Sequence, residues 1–273
     1  MPEPCYIPSK MLIHCADVMQ TDQNATAFGI HVKLESIDRR FIVQPAFEKV
    51  YADAAMIKRG YRQSENVEVL KGHGRFTGPK ILAAEGFDEE LTAETILIAA
   101  GTLPWLPDIP NLDQSPYLTF DEALGLPEQP KRLSVIGGGY IAAQSPHFFG
   151  ALGTEVNIIH RRGQMRREED NDVARRFTKV YQRRFNMILD AQVKRVPAQG
   201  EEITVEVTTP DGKRSIPSGA LLMATGRVPN TDILEVAHTS EALNQRDYIN
   251  TDKYLQASVP GIWARAILWG PTC

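Results

Sequence analysis

The stretch that most constrains this chain is Gly137-Gly-Gly-Tyr-Ile-Ala142. A short apolar run, Leu133–Ile136, precedes it, and an apolar-periodic stretch, Tyr140–Leu152, follows. A second strand-like run stands at Glu155–His160. Strand, glycine turn, helix and second strand together form the βαβ unit that cradles a dinucleotide diphosphate. Gly137 allows the tight turn, Gly139 admits a pyrophosphate to the backbone, and Ala142 keeps the helix close to the sheet. The helix N-terminus adds unpaired N–H groups and the positive end of a dipole. Gly138, Tyr140 and Ile141 of the same stretch are candidate cofactor-binding residues too. The alternative, a tight turn in a ligandless α/β domain, is disfavoured by the strands on both sides.

The end of the second strand discriminates between cofactors. An acid there accepts from a ribose 2′-hydroxyl, whereas an arginine meets a 2′-phosphate. Here the position is His160, followed by Arg161, Arg162, Arg166 and Arg167, with no acid before Glu168. Arginine pairs with phosphate through bidentate, charge-assisted bonds. The pattern points to NADPH, with Arg161 and Arg167 as clamps. A solvated basic loop is the competing reading. The run Glu168-Glu169-Asp170 suits a helix N-terminus.

Along the rest of the chain, periodicity predicts helices over Met11–Met19, Phe47–Gly60 and Asp170–Arg184. In Phe47–Gly60 the expected buried face is Phe47, Val50, Tyr51, Ala54, Ala55 and Ile57. Asp22–Ala27 reads as a loop and Phe28–Leu34 as a short strand or connector. Short strands are expected at Asn66–Gly72, Lys80–Ala84, Leu91–Glu94 and Met187–Leu189. Thr95–Ala100 and Leu221–Ala224 read as buried strands, and Ile203–Thr208 with Gly212–Ile216 as a hairpin. The Pro-rich stretch Leu103–Pro130 holds one short helix near Phe120–Gly125 and marks a domain boundary.

Composition narrows the class. The chain has 273 residues, 42% hydrophobic and 23% charged, with net charge −4. That is an ordinary globular balance, and its mild acidity argues against nucleic-acid binding. No apolar run approaches the roughly 20 residues of a membrane span, and the start has no signal-peptide pattern. Three scattered cysteines, Cys5, Cys15 and Cys273, suit a reducing cytoplasm. No His, Cys or acid spacing suggests a metal site.

Five segments in order then carry a resemblance. They are Ile7-Pro-Ser-Lys10, Ile96-Leu-Ile-Ala-Ala-Gly-Thr102, Gly137-Gly-Gly-Tyr-Ile-Ala142, Ala224-Thr-Gly-Arg-Val-Pro-Asn230 and Pro260-Gly-Ile-Trp-Ala264. Together they resemble the flavin-dependent pyridine nucleotide–disulfide oxidoreductases; Ile141-Ala-Ala, His147-Phe-Phe-Gly-Ala-Leu-Gly153 and Arg176-Phe-Thr178 look most like the mycothione reductase branch. The resemblance implies an α/β fold in which a Rossmann-type NAD(P)-binding domain is inserted in an incomplete FAD-binding domain. Residues 1–118 would be partial FAD domain, 119–249 the NAD(P) domain, and 250–273 the returning FAD segment. It implies hydride transfer from NADPH to FAD, reduction of a Cys pair, and thiol exchange with a small-molecule disulfide in a homodimer. Lys10 would lie beside the flavin, and Tyr140 would cover the nicotinamide pocket. Gly226 and Arg227 would lie where the nicotinamide domain rejoins the flavin domain, and with Gly101 and Thr102 they join the candidate cofactor-binding residues.

Departures from that pattern shape the expectation. The family's first glycine-rich unit has no counterpart in this chain. Its Cys-x-x-x-x-Cys pair reduces to Cys5, one residue out of place, so Cys5 is a doubtful catalytic thiol. Cys15 reads as a small buried residue. Gln144 replaces a family Glu, and Pro146 falls inside the expected helix, where it costs roughly 3 kcal/mol. Arg265–Cys273 reads as a frameshifted tail: one base deleted from codons for Ala-Leu-Gly-Asp-Ile-Val-Gly yields Ala-Arg-Ala-Ile-Leu-Trp. Three outcomes remain open: a catalytically impaired reductase, a non-catalytic NADPH-binding module, or a decayed gene product.

Overall fold

The computed structural model describes residues 6–199 and 202–265. Cys5 and Cys273, and the tail beyond Arg265, lie outside the described residues. The chain divides into two compact units. The first takes Met1–Ile57 and Leu106–Gly226, the second Lys58–Trp105 and Arg227–Cys273.

The strands of the first unit are β1 (Tyr117–Leu118), β2 (Arg132–Gly137), β3 (Glu155–Ile159), β4 (Asn186–Ile188), β5 (Gln192–Arg195), β6 (Ala198–Gln199), β7 (Glu202–Thr209), β8 (Gly212–Ser218) and β9 (Ala220–Ala224). Its helices are α1 (Tyr6–Asn24), α2 (Arg39–Gln63, which runs past the unit's limit), α3 (Phe120–Leu124), α4 (Tyr140–Ala151) and α5 (Asn171–Gln182). A five-stranded parallel sheet in the order β1-β9-β2-β3-β4 forms its centre. The β7 strand pairs antiparallel with β8 along one edge and with β5 and β6 along the other.

The parallel sheet is covered on both faces, which is why its strands are nearly uniform in apolar character. Leu133, Val135, Val156, Ile158 and Leu222 pack with Leu12, Ala16, Val43, Ala46, Phe148, Phe149 and Tyr181 from the helices. Ile136, Ile159, Ile188, Leu221 and Met223 pack instead with Ile203, Val205, Val207 and Ile216 from the antiparallel strands. Alternate residues of β2 and β9 thus serve two separate cores, as a period of two requires.

Pro146 does not break α4, which runs unbroken from Tyr140 to Ala151. Phe148 and Phe149 are fully buried against the sheet and in edge contact, with ring centroids 5.1 Å apart. Burying two such side chains contributes about 3–6 kcal/mol in all, enough to offset a proline cost of roughly 3 kcal/mol. The Tyr181 hydroxyl donates to the carbonyl of Ala143 at 2.6 Å, one turn before the proline.

The helices α1 and α2 are longer than periodicity suggests. The expected loop at Asp22–Ala27 is the end of α1 and a short 3-10 turn, Ala25–Phe28, closed by Gly29 at φ 77°. Residues 29–38 are an irregular connector. The α2 helix buries Arg39, Val43, Ala46 and Val50, spaced along one stripe, and Phe47 is partly buried. Tyr51, Ala54, Ala55 and Ile57 are exposed, which corrects the expected buried face. The apolar stripe continues along the helix, but its contact with the core ends at Val50.

In the second unit, Gly74–Gly78, Ile81–Ala84 and Leu91–Thr92 form an antiparallel sheet. Ile96–Ile98 pairs in parallel with Ile262–Ala264, and Thr102–Pro104 pairs antiparallel with Arg227–Pro229. Phe76, Ile96, Ile98, Val236, Ile249 and Ile262 form its core. Two expectations are corrected here. Asn66–Gly72 is irregular, and the strand begins at Gly74, where pairing with Ala84 starts. Val67 and Val69, the apolar residues behind that expectation, are exposed. The strand within Thr95–Ala100 is three residues long, and Leu97 at its centre is 62% exposed, so it is buried on one face only.

Candidate functional site

The glycine turn lies at the C-terminal end of β2, and its three glycines answer three different constraints. Gly137 has φ 148°, and a Cβ there would overlap the carbonyl of Ala224 on β9, its register partner. Neither the conformation nor the space admits a side chain. At Gly138 a Cβ would overlap the imidazole of His160. At Gly139, which caps α4, a Cβ would meet nothing within 4 Å. The space before the first turn of α4 is therefore open, and no side chain caps that helix. Its leading N–H groups have no intrahelical acceptor, which makes this an anion-accepting end. Ala142 is fully buried and brings α4 onto the sheet, while Ile141 packs at the edge of the same core.

The loop after β3 is tied down at several points. His160 donates its backbone N–H to Ile188 and accepts from Ala191, at 2.9 and 3.0 Å. Its Nε2 lies 3.1 Å from the carbonyl of Gln164. Burial pushes the imidazole below its ordinary pKa of 6.5, and the charges of Arg161 and Arg162 push the same way. Met165 is buried and donates its N–H to the Thr178 hydroxyl. Arg166 then adopts φ 55° and donates its backbone N–H to the carbonyl of Gly138 at 2.9 Å.

The side chain of Arg166 is buried, with its guanidinium 3.1 Å from the centroid of the Tyr140 ring. It pairs with Glu169, and with Glu168 at 3.6 Å. The Tyr140 hydroxyl donates to Glu169 at 2.6 Å. That bond raises the phenol's pKa and, with the Arg166 contact, lowers that of the Glu169 carboxyl.

Arg161 and Arg167 are exposed and line one groove of about 520 Å³, together with Arg162, Gln164, Asn171 and Asp190. Arg166, the buried member of the arginine run, is not part of that lining. Sequence reasoning missed Arg162, Asn171 and Asp190 as lining residues. It also took Glu169 for a helix-start acid, a role that falls to Asp170, whose carboxylate accepts from the N–H of Asp172 at 2.9 Å. The three-residue spacing of Arg166 and Glu169 was the available signal; nothing local linked either to Tyr140.

The remaining candidates lie elsewhere. Lys10 is exposed on α1. Cys15, also on α1, is half-buried, and burial raises its thiol pKa, which disfavours the thiolate. Gln144 sits in a closed seam between α1 and α4, beside Ser9, Leu12 and Phe148. Gly226, with φ 142°, ends the first unit. In the second unit Gly101 turns at φ 73° before the buried Thr102. The Arg227 guanidinium donates to both the hydroxyl and the carbonyl of Thr102, the latter at 2.6 Å. Among the described residues no group of His, Cys, Asp or Glu could hold a metal ion, and no helix is long and apolar enough to cross a membrane.

Comparison with known proteins agrees with this architecture. Residues 7–265 match the model of the pyridine nucleotide-disulphide oxidoreductases. Mycothione reductase of Mycobacterium tuberculosis is 28% identical over 263 residues, covering 94% of this chain and 56% of its own. Dihydrolipoyl dehydrogenase of Vibrio cholerae is 31% identical over 268 residues, covering 94% and 55%. The HOCl-induced flavoprotein disulfide reductase RclA of Escherichia coli superposes with a TM-score of 0.80 at 25% identity, covering 97% of this chain and 56% of its own. The chain thus spans little more than half the length of these relatives.

Proposed function

The chain belongs to the pyridine nucleotide-disulphide oxidoreductase family, and from that premise we propose that its first unit binds NADPH at the Gly137–Gly139 turn. The observation that carries this reading is the pairing of an open, uncapped helix end at Gly139 with an arginine-lined groove beyond β3. The diphosphate would lie at the N-terminus of α4, met by N–H groups and by the helix dipole. The 2′-phosphate would be held by Arg161 and Arg167, whose guanidinium groups match phosphate geometry.

In the whole protein the bound nucleotide would supply hydride to a flavin, for reduction of a small-molecule disulfide by a dimer. A second reading is a nucleotide-binding module without redox turnover, since the glycine turn and the arginine groove both lie within the first unit.

Titration of the purified chain with NADPH and NADH, followed by quenching of tryptophan fluorescence, tests the proposal. Arg161→Ala/Arg167→Ala should weaken NADPH binding at least tenfold, since hydrogen bonds to charged groups contribute about 1.5–3 kcal/mol each. NADH binding should change little. Equal loss for both cofactors rejects the arginine assignment, and absence of any binding rejects the site. Visible flavin absorbance in the purified protein would separate the reductase from the module.

A further inference from the structure

We propose that Arg166, Tyr140 and Glu169 form a positioning clasp that fastens the arginine loop to the glycine turn and so sets the preference for a 2′-phosphorylated dinucleotide. The inference rests on the reading of the turn as a dinucleotide site and concerns three residues outside the groove itself.

Three contacts close the clasp. The backbone N–H of Arg166 bonds the carbonyl of Gly138 in the centre of the turn. Its guanidinium covers the face of Tyr140, the first residue of α4. Glu169 then binds both, accepting from the Tyr140 hydroxyl and pairing with the guanidinium. The loop, the turn and the helix start are thereby joined through one buried cation.

Two features show that the arrangement is held rather than incidental. Arg166 occupies the left-handed region, which a non-glycine residue keeps only when its surroundings impose it. Its side chain is 6% exposed, and a buried charge persists only when paired. Glu168 and Glu169 supply that pairing from the next turn of chain. The charge of Arg166 is thus taken up within the loop, while Arg161 and Arg167 face the groove. Holding those two in place before the ligand arrives lowers the ordering cost of binding.

Glu169→Gln and Tyr140→Phe test the clasp, each in the full chain, with binding of NADPH and NADH measured and amide hydrogen exchange followed over residues 161–170. A simple electrostatic count has Glu169→Gln bind NADPH more tightly, because an anion near the site is removed. The clasp requires the opposite: NADPH affinity falling about fivefold, with NADH changed less than twofold, because only the 2′-phosphate uses the groove. Tyr140→Phe, which leaves charge untouched, should lower NADPH affinity in the same sense, by about threefold. Unchanged or tighter NADPH binding in Glu169→Gln overturns the inference. If the unmodified chain binds neither nucleotide, the dinucleotide reading fails, and hydrogen exchange still judges the clasp. Faster exchange in both variants, including the Arg166 amide that bonds Gly138, supports it. Exchange equal to that of the unmodified chain overturns it.

Discussion

The imidazole of His160 stands where a side chain on Gly138 would have to go. Strand end and glycine turn are therefore fitted to each other, and the residue that follows β3 also fills the space above the turn. Gly138→Ala should destabilise the chain by about 1–3 kcal/mol through overpacking. His160→Ala should remove part of that penalty, so the double variant is more stable than additivity predicts. Urea unfolding of the two single variants and the double variant measures the coupling; strictly additive losses would contradict the contact.

The flanking glycines should separate stability from binding. Gly137→Ala meets the Ala224 carbonyl at a left-handed φ and should cost 3 kcal/mol or more, on the order of the largest single-site effects. Gly139→Ala enters open space at φ −86°, ψ −161°, a conformation alanine adopts readily. Its midpoint of thermal unfolding should stay within about 2 °C, while NADPH affinity falls at least tenfold as the Cβ blocks the diphosphate. Loss of stability without loss of binding at Gly139 would refute the placement of the diphosphate.

His160 should also give the chain an acid-sensitive slope. Burial holds its folded-state pKa below 6.5, so in the window beneath 6.5 the unfolded chain binds a proton that the folded chain refuses. Stability then rises with pH between the folded and unfolded pKa values, and is lost as pH falls through the folded one. His160→Gln should flatten this part of the profile. The test is denaturant midpoints from pH 4.5 to 7.5 for both proteins; parallel curves would show that other groups set the slope.

Tyr181 offers a check on α4. Its hydroxyl donates to Ala143, and burial drives the phenol's pKa up to about 12. Tyr181→Phe should cost about 1 kcal/mol, the net worth of one hydrogen bond. Reverting the neighbouring irregularity with Pro146→Ala should shift stability the other way, by up to roughly 3 kcal/mol. Thermal unfolding of each variant decides both signs.

Much of the first unit was legible because β2, the glycine turn, α4 and β3 each carry a local signal that agrees with its neighbours. Apolar strands, a glycine turn and a helical period follow one another at the expected spacing. Arg161 and Arg167 were legible as a basic run. Glu169 was not, because its partner Tyr140 lies 29 residues away, and the adjacent acids suggested a plain helix start. Val67 and Val69 misled for the opposite reason: β-branched residues favour strands, but among the described residues no strand pairs with that segment. Tyr51 and Ile57 continue a true apolar stripe past the point where α2 still touches its core.

The sequence by itself determined the family, the α/β order of strands and helices, and the glycine turn, since these depend on periodicity and on glycines at fixed spacing. Only the tertiary structure decided what each residue faces. It showed that Pro146 sits in an unbroken helix beside two buried phenylalanines, that Gly138 yields its space to His160, and that Arg166 turns inward while Arg161 and Arg167 line the groove. Burial and pairing between distant segments set the free energy of a charge or a ring, and neither is encoded in local order alone.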